Sequence, residues 1–158
     1  MVNISLTEIA GVAGLLFGLS GFILGVLNYF RDNPRVVVDL LWDLKVPPGT
    51  QYDSSKKWGT VRVSNIGRRP IYVSHVALEV PKGFDHTHMV LMEGISGKKL
   101  AEGDAPQTYM VSQDGMEIYA HKWRGIRAQV TDSSGKVWRS KLVARNSVPS
   151  WASRDRAR

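Results

Sequence analysis

Cysteine is absent from the chain, which excludes disulfide scaffolds, thiolate zinc sites, iron–sulfur clusters and thiol catalysis. Charge is almost absent from its first thirty residues. All 21 Lys and Arg lie at or after Arg31, and Glu8 is the only one of the 14 acidic residues that precedes it. A convincing helical period is lacking in every stretch after Arg31. The motifs of common enzyme chemistry are missing too: there is no GxSxG, no P-loop, no GxGxxG after a strand and no HExxH. Asp104, Asp114 and Glu117 fall in predicted loops or strand ends, where nothing pairs an acid with a base. The expectation is a non-enzyme without a cofactor.

What the chain does have begins at Ile9. Through Phe30 it reads IAGVAGLLFGLSGFILGVLNYF, uncharged, with Ser20 as the only polar side chain before Asn28. At ~1.5 Å per residue these residues reach ~33 Å, enough to cross a hydrocarbon core of ~30 Å. Tyr29 and Phe30 sit where an interfacial aromatic belt would lie, and Arg31 marks the return to water. A cleaved signal peptide fits worse, because MVNISLTE has no basic residue and NYFRDNPR is a poor cleavage site. A buried soluble helix fits worse as well, since five glycines inside it would be costly in water. The prediction is one transmembrane helix over 9–30, preceded by a short N-terminus over 1–8. Basic residues follow the helix at once, at Arg31 and Arg35, and none precedes it. The positive-inside rule therefore predicts an inner-membrane protein with its N-terminus outside and its C-terminal domain in the cytoplasm.

The glycines of this segment have a period. Thr7, Gly11, Gly14, Gly18, Gly21, Gly25 and Asn28 are spaced alternately four and three apart, a stripe of small or polar residues in heptad register. In lipid, helices associate through close backbone approach, which small residues permit. The regular period favours parallel self-assembly with left-handed crossing. The expected partner is a second copy of the chain or another membrane protein.

After Asn33-Pro34, which biases the chain away from helix, alternation takes over. Val36, Val38, Leu40, Trp42 and Leu44 form one apolar face, with Asp39, Asp43 and Lys45 on the other. Trp58 to Asn65, Ile71 to Val80, His88 to Met92, Thr108 to Val111, Ile126 to Thr131 and Val137 to Leu142 read as further strands, and Met116 to His121 as an additional candidate. Asp132-Ser133-Ser134-Gly135 suits a hairpin loop. The fold class predicted is an N-terminal transmembrane α-helix followed by an all-β, Ig-like antiparallel sandwich over 33–144. Trp42, Trp58, Trp123 and Trp138 are its natural large fillers. Residues 145–158 read as a flexible basic tail.

One helix, a Val-rich strand, VRVSNIGRRPIYVSHVALEV and then IRAQVTDSSGKVW together resemble small single-pass bacterial or phage membrane proteins with a C-terminal β-sandwich. The resemblance implies an anchored topology, an N-x-G-x-x-P-I turn between two neighbouring strands and a late D-S-x-G-K hairpin. It implies no catalytic residue.

Asp85, His86 and His88 place two imidazoles at i, i+2, on one face of a strand if extended, which could begin a zinc or copper site. No third histidine lies nearby in sequence, and no metal is expected. Basic character is the stronger lead, with a net charge of +7. Lys56-Lys57, Arg68-Arg69 and Lys98-Lys99 are doublets at predicted loops or strand ends, and they join Arg31 and Arg35 as candidate anion- or lipid-binding residues. Such charges near a cytoplasmic leaflet attract anionic headgroups. Nucleic acid is a less favoured ligand than membrane lipid or a small anion. The reading is a membrane-anchored binding or scaffold protein that self-associates through its helix. Its alternatives are an oligomeric pore or membrane-perturbing effector gated by the sandwich, and an accessory subunit of a larger membrane complex.

Overall fold

A computed structural model describes residues 5–95, 97–143 and 147–153, and the chain divides into two units, Met1–Asn33 and Pro34–Arg158. The first unit is a single helix, α1 (Leu6–Arg31), long and apolar enough to cross a membrane, with a mean hydropathy of 2.2 over its most apolar 18 residues. It starts earlier than the apolar run because Ser5 and Glu8 form a capping box. The Ser5 hydroxyl accepts the Glu8 amide at 3.3 Å, and the Glu8 carboxylate accepts the Ser5 amide at 2.8 Å. Two of the helix's orphan donors are thereby satisfied. Ser20, mid-helix, donates its hydroxyl to the Leu16 carbonyl at 2.8 Å and so carries no unmet polarity.

The second unit is an antiparallel sandwich. One sheet has the order β1-β2-β6, from Val36–Lys45, Lys57–Asn65 and Gln107–Ser112. The facing sheet has the order β4-β3-β7-β8, from His88–Leu91, Ile71–Glu79, Arg127–Asp132 and Val137–Arg139, and β5 (Lys98–Leu100) also pairs with β3. With β1, β2, β3, β6, β7 and β8 as strands A, B, C, E, F and G, both sheets keep the Ig-like order, A-B-E against C-F-G. Alternation builds the core directly. Val38 and Leu40, Val61 and Val63, Ile71 and Val73, and Ala128 and Val130 all point inward and are buried.

The N-x-G-x-x-P-I turn does join consecutive strands, but it carries the chain from one sheet to the other rather than closing a hairpin. The Asn65 side chain pins it, donating to the carbonyls of Arg69 (2.9 Å) and Leu100 (3.0 Å) and accepting the Gly67 amide (2.9 Å). The late hairpin forms between β7 and β8 as expected. Its Asp132 carboxylate accepts the Ser134 and Lys136 amides, and Gly135 supplies the positive φ of 82°.

Four expectations need correction. Leu44 is not on the inner face; it is 38 % exposed. A bulge between Leu41 and Leu44, with Asp43 at φ 63°, shifts the register there and turns the strand's last residues over. Met116 to His121 is not a strand but part of a 3-10 segment, Met116–Gly125, which buries Met116, Tyr119, Ala120 and Trp123 at i, i+3, i+4 and i+7. Strand β8 stops at Arg139, because Ser140 turns its hydroxyl onto the Ala128 amide (2.9 Å). Finally, residues 147–153 are not a loose tail. Ser150–Ser153 form a short helix, α2, whose Trp151 is only 4 % exposed and belongs to the core. The remainder of the expected tail, Arg145, Arg154, Arg156 and Arg158 included, lies outside the described residues.

Candidate functional site

Three surfaces carry the residues singled out from sequence. The first is the α1 stripe of Thr7, Gly11, Gly14, Gly18, Gly21, Gly25 and Asn28, all within the helix. On a straight helix a strict heptad drifts ~20° per repeat and its two positions stand ~40° apart, so the seven positions stay within one ~100° band. A Cβ added at any of the five glycines meets nothing within 4 Å. Packing inside this chain therefore places no demand on their small size.

The second is the set of basic residues, which the sandwich separates into two groups. Strand β2 runs about 27 Å at ~3.4 Å per residue, with Lys57 at its start and the Arg68-Arg69 turn beyond its end. At the Lys57 end the cations are offset. Lys56 Nζ sits 2.7 Å from the Asp114 carboxylate, and Lys57 Nζ lies 3.7 Å from that of Asp43. The hydrogen bond to Lys56 holds the Asp114 carboxyl below its ordinary value, and the same bond holds the Lys56 ammonium above its own. Nearby, two serine hydrogen bonds from Ser55 lower the Asp53 carboxyl.

At the other end the cations gather. Val36 pairs with Asn65, placing Arg35 beside the turn that bears Arg68 and Arg69; the Arg35 carbonyl accepts the Ile66 amide at 2.8 Å. Tyr72 pairs with Lys99 and Val73 with Lys98, so β5 brings its doublet to the same end. Val73 also pairs with Asp132, which adds Lys136 of the late hairpin. Among the described residues, no carboxylate lies within ion-pair distance of Arg35, Arg68, Arg69, Lys98 or Lys99. The structure thus unites four of the six doublet residues with Arg35 and sets Lys56 and Lys57 apart. Arg31 belongs to α1, at its last turn.

The third is the histidine region. His86 Nε2 lies 2.6 Å from the Tyr119 hydroxyl, whereas His88 is at the start of β4 with Nε2 3.2 Å from Gln129 Oε1. Their rings are committed to different neighbours, and no group of three His, Asp or Glu side chains among the described residues could hold a metal ion.

Two clefts lie beside these surfaces. One of about 480 Å³ runs along β1 from Val38 to Asp43 and is closed by Leu142, Val143 and Val148, with Asp39, Arg62 and Lys141 at its rim. The other, of about 370 Å³, holds Lys56, Lys57, Asp114 and Glu117 together beside Trp151. Both mix charges of either sign, and neither brings a nucleophile to a base.

No family model matches the chain, and no curated protein is significantly similar to it in sequence. Among solved structures it is similar to the X-ray structure of Northeast Structural Genomics Consortium target SoR45, at 10 % identity and a TM-score of 0.30, over 72 % of this chain and 84 % of that one. A likeness of that size carries neither fold nor function from that protein to this one.

Proposed function

We propose that the chain is a non-enzymatic, single-pass membrane protein that self-associates through α1 and presents its basic sandwich to a cytoplasmic partner or anionic ligand. The observation that carries this reading is the surface of α1. The helix is 26 residues long and buries none of them, although it displays Leu15, Leu16, Phe17, Leu19, Phe22 and Leu24. In water so much exposed apolar surface would drive association without limit; lipid covers it on every face but the glycine stripe. The bias of Arg31 and Arg35 supports a cytoplasmic sandwich.

Topology tests the anchor. A reporter active only in the cytoplasm should work when fused after Arg158 and fail when fused before Met1. The opposite pattern would reverse the orientation and remove the sandwich from every cytoplasmic anion. Native mass spectrometry of the detergent-solubilised chain tests self-association, and a monomer would remove that part of the proposal.

A further inference from the structure

Only residues 32–35 connect α1 to β1, so the sandwich end at which β1 begins is the end tied to the helix. It is also the end where Arg35, Arg68, Arg69, Lys98, Lys99 and Lys136 collect. Apolar side chains stand among these cations. Ile66, at the tip of the β2–β3 turn, is 62 % exposed, and Tyr72, paired across the sheet with Lys99, is 47 % exposed. A recess of about 260 Å³ opens beside Tyr72, lined also by Pro34, Arg69, Ser133 and Ser134.

The acids of this end are Glu102, Asp104 and Asp132, with Asp32 in the connection to α1. The Asp132 Oδ1 already accepts the Ser134 amide (2.8 Å), the Ser134 hydroxyl (2.6 Å) and the Lys136 amide (2.9 Å), and the Asp104 carboxylate accepts the Ala101 amide at 2.7 Å. Both are occupied by their own loops, while among the described residues the guanidinium and ammonium groups have no ion-pair partner. Cations unmatched by acids, with an aliphatic and a phenol between them, suit the headgroup layer of an anionic bilayer. Phosphates meet the cations there, and exposed apolar side chains reach the acyl boundary.

We propose that this end of the sandwich, through Arg35, Arg68, Arg69, Lys98 and Lys99 with Ile66 and Tyr72, docks on the anionic phospholipid surface of the membrane that holds α1. The proposal rests on the anchored reading given above. It assigns the basic doublets unequal roles: Arg68-Arg69 and Lys98-Lys99 face lipid phosphate, and Lys56-Lys57 do not.

Because the chain has no cysteine, Ser133→Cys creates a unique labelling site beside Tyr72, whose carbonyl the Ser133 amide meets at 2.9 Å. Ile118→Cys does the same at the opposite end, in the 3-10 segment. The full chain, carrying an environment-sensitive fluorophore at one site, is reconstituted in phosphatidylcholine vesicles with or without phosphatidylglycerol. The Ser133 label should shift to the blue and be quenched by nitroxide lipids only when phosphatidylglycerol is present; the Ile118 label should not respond. Raising salt from 0.1 M to 1 M shortens the screening length from ~10 Å to ~3 Å and should reverse the shift. Arg68→Glu with Arg69→Glu should abolish it, and Lys56→Glu with Lys57→Glu should leave it in place. A Ser133 label that reads the same in both lipids, or an Ile118 label that shifts as much, overturns the docking. Flotation separates this failure from failure of the anchor. Chain that floats with both vesicle types while its Ser133 label stays in water keeps the anchor and loses the docking; chain that does not float loses both.

Discussion

The Asp43 carboxylate accepts the backbone amide of Ser150 at 2.8 Å and the Ser150 hydroxyl as well, across 107 residues of chain. It can do so because Asp43 occupies the left-handed region at the β1 bulge, one of the conformations that Asp tolerates better than most residues. The contact fixes the start of α2 and lays Trp151 edge-on against Trp42, with ring centroids 5.5 Å apart. One irregularity in the first strand thereby closes the sandwich with the last described segment.

Removing either half of this clasp should therefore destabilise the fold. Trp151→Ala should cost ~3–5 kcal/mol, the usual penalty for deleting a buried aromatic. Asp43→Ala should cost ~1–3 kcal/mol, because it leaves the Ser150 amide without its partner and retains the strained backbone. Asp43→Asn, which accepts the left-handed conformation and keeps an acceptor, should cost clearly less. Denaturant midpoints of the full chain in detergent, followed by tryptophan fluorescence, measure all three. A Trp151→Ala midpoint equal to wild type would mean that the terminal segment adds nothing to the core.

Close approach makes a second prediction at Gly59. A Cβ there would come within 2.6 Å of the Trp42 ring and 3.3 Å of Val111. Gly59→Ala should push the indole off its position on β2 and cost ~1–3 kcal/mol as overpacking. Gly18→Ala in the helix meets nothing within 4 Å and should leave the sandwich's midpoint untouched. Equal effects of the two substitutions would show that Trp42 has room to move.

Strands β1, β2, β3 and β7 were legible because each presents one apolar face to a two-sided core, so period two is written into Val38/Leu40, Val61/Val63, Ile71/Val73 and Ala128/Val130. Strand β5 was not: it is three residues long, two of them lysines, and only Leu100 reaches the core. The helix start and the 3-10 segment did leave signals, the S-x-x-E spacing at Ser5 and Glu8 and the i, i+3, i+4, i+7 spacing from Met116 to Trp123. Nothing local marks Asp43 as a bulge or Trp151 as core, because each owes its state to the other. The same holds for the basic doublets. Sequence shows that they are paired along the chain, and only strand register shows which of them share an end.

The Lys56–Asp114 pair makes a prediction in pH. Both groups are exposed, so the contribution to stability is small and screened by salt. Its sign is fixed by the directions of the shifts. The lowered Asp114 value means that stabilisation is present above the unfolded carboxyl value and lost as pH falls through the folded one. The raised Lys56 value means that stabilisation is present below the unfolded ammonium value and lost as pH rises through the folded one. Carboxyl carbon NMR should find Asp114 titrating at lower pH than a free aspartate, and Lys56→Met should move that midpoint upward. A midpoint that ignores Lys56→Met would show that the pair does not persist in solution.

The glycine stripe makes the prediction with the widest consequence. If α1 packs against another helix along Gly11, Gly14, Gly18, Gly21 and Gly25, then Gly18→Ile or Gly21→Ile should dissociate the assembly. A β-branched side chain would hold the backbones apart where close contact supplies the association energy. Leu16→Ile and Leu19→Ile change the other faces by comparable hydrophobicity and should do little. Native mass spectrometry reads the subunit count in each case, and circular dichroism checks that the sandwich is retained. Conductance then separates anchor from pore. Along the stripe only Thr7 and Asn28 are polar, while Ser20 spends its hydroxyl on the Leu16 carbonyl, so a hydrated path would have almost no polar lining. Vesicles loaded with the wild-type chain should therefore hold a membrane potential as well as vesicles loaded with Gly18→Ile. A potential that collapses with wild type and survives with Gly18→Ile would make the stripe a channel seam. Loss of the assembly in Gly18→Ile without any change in where the chain resides or what it binds would reduce the helix to a tether.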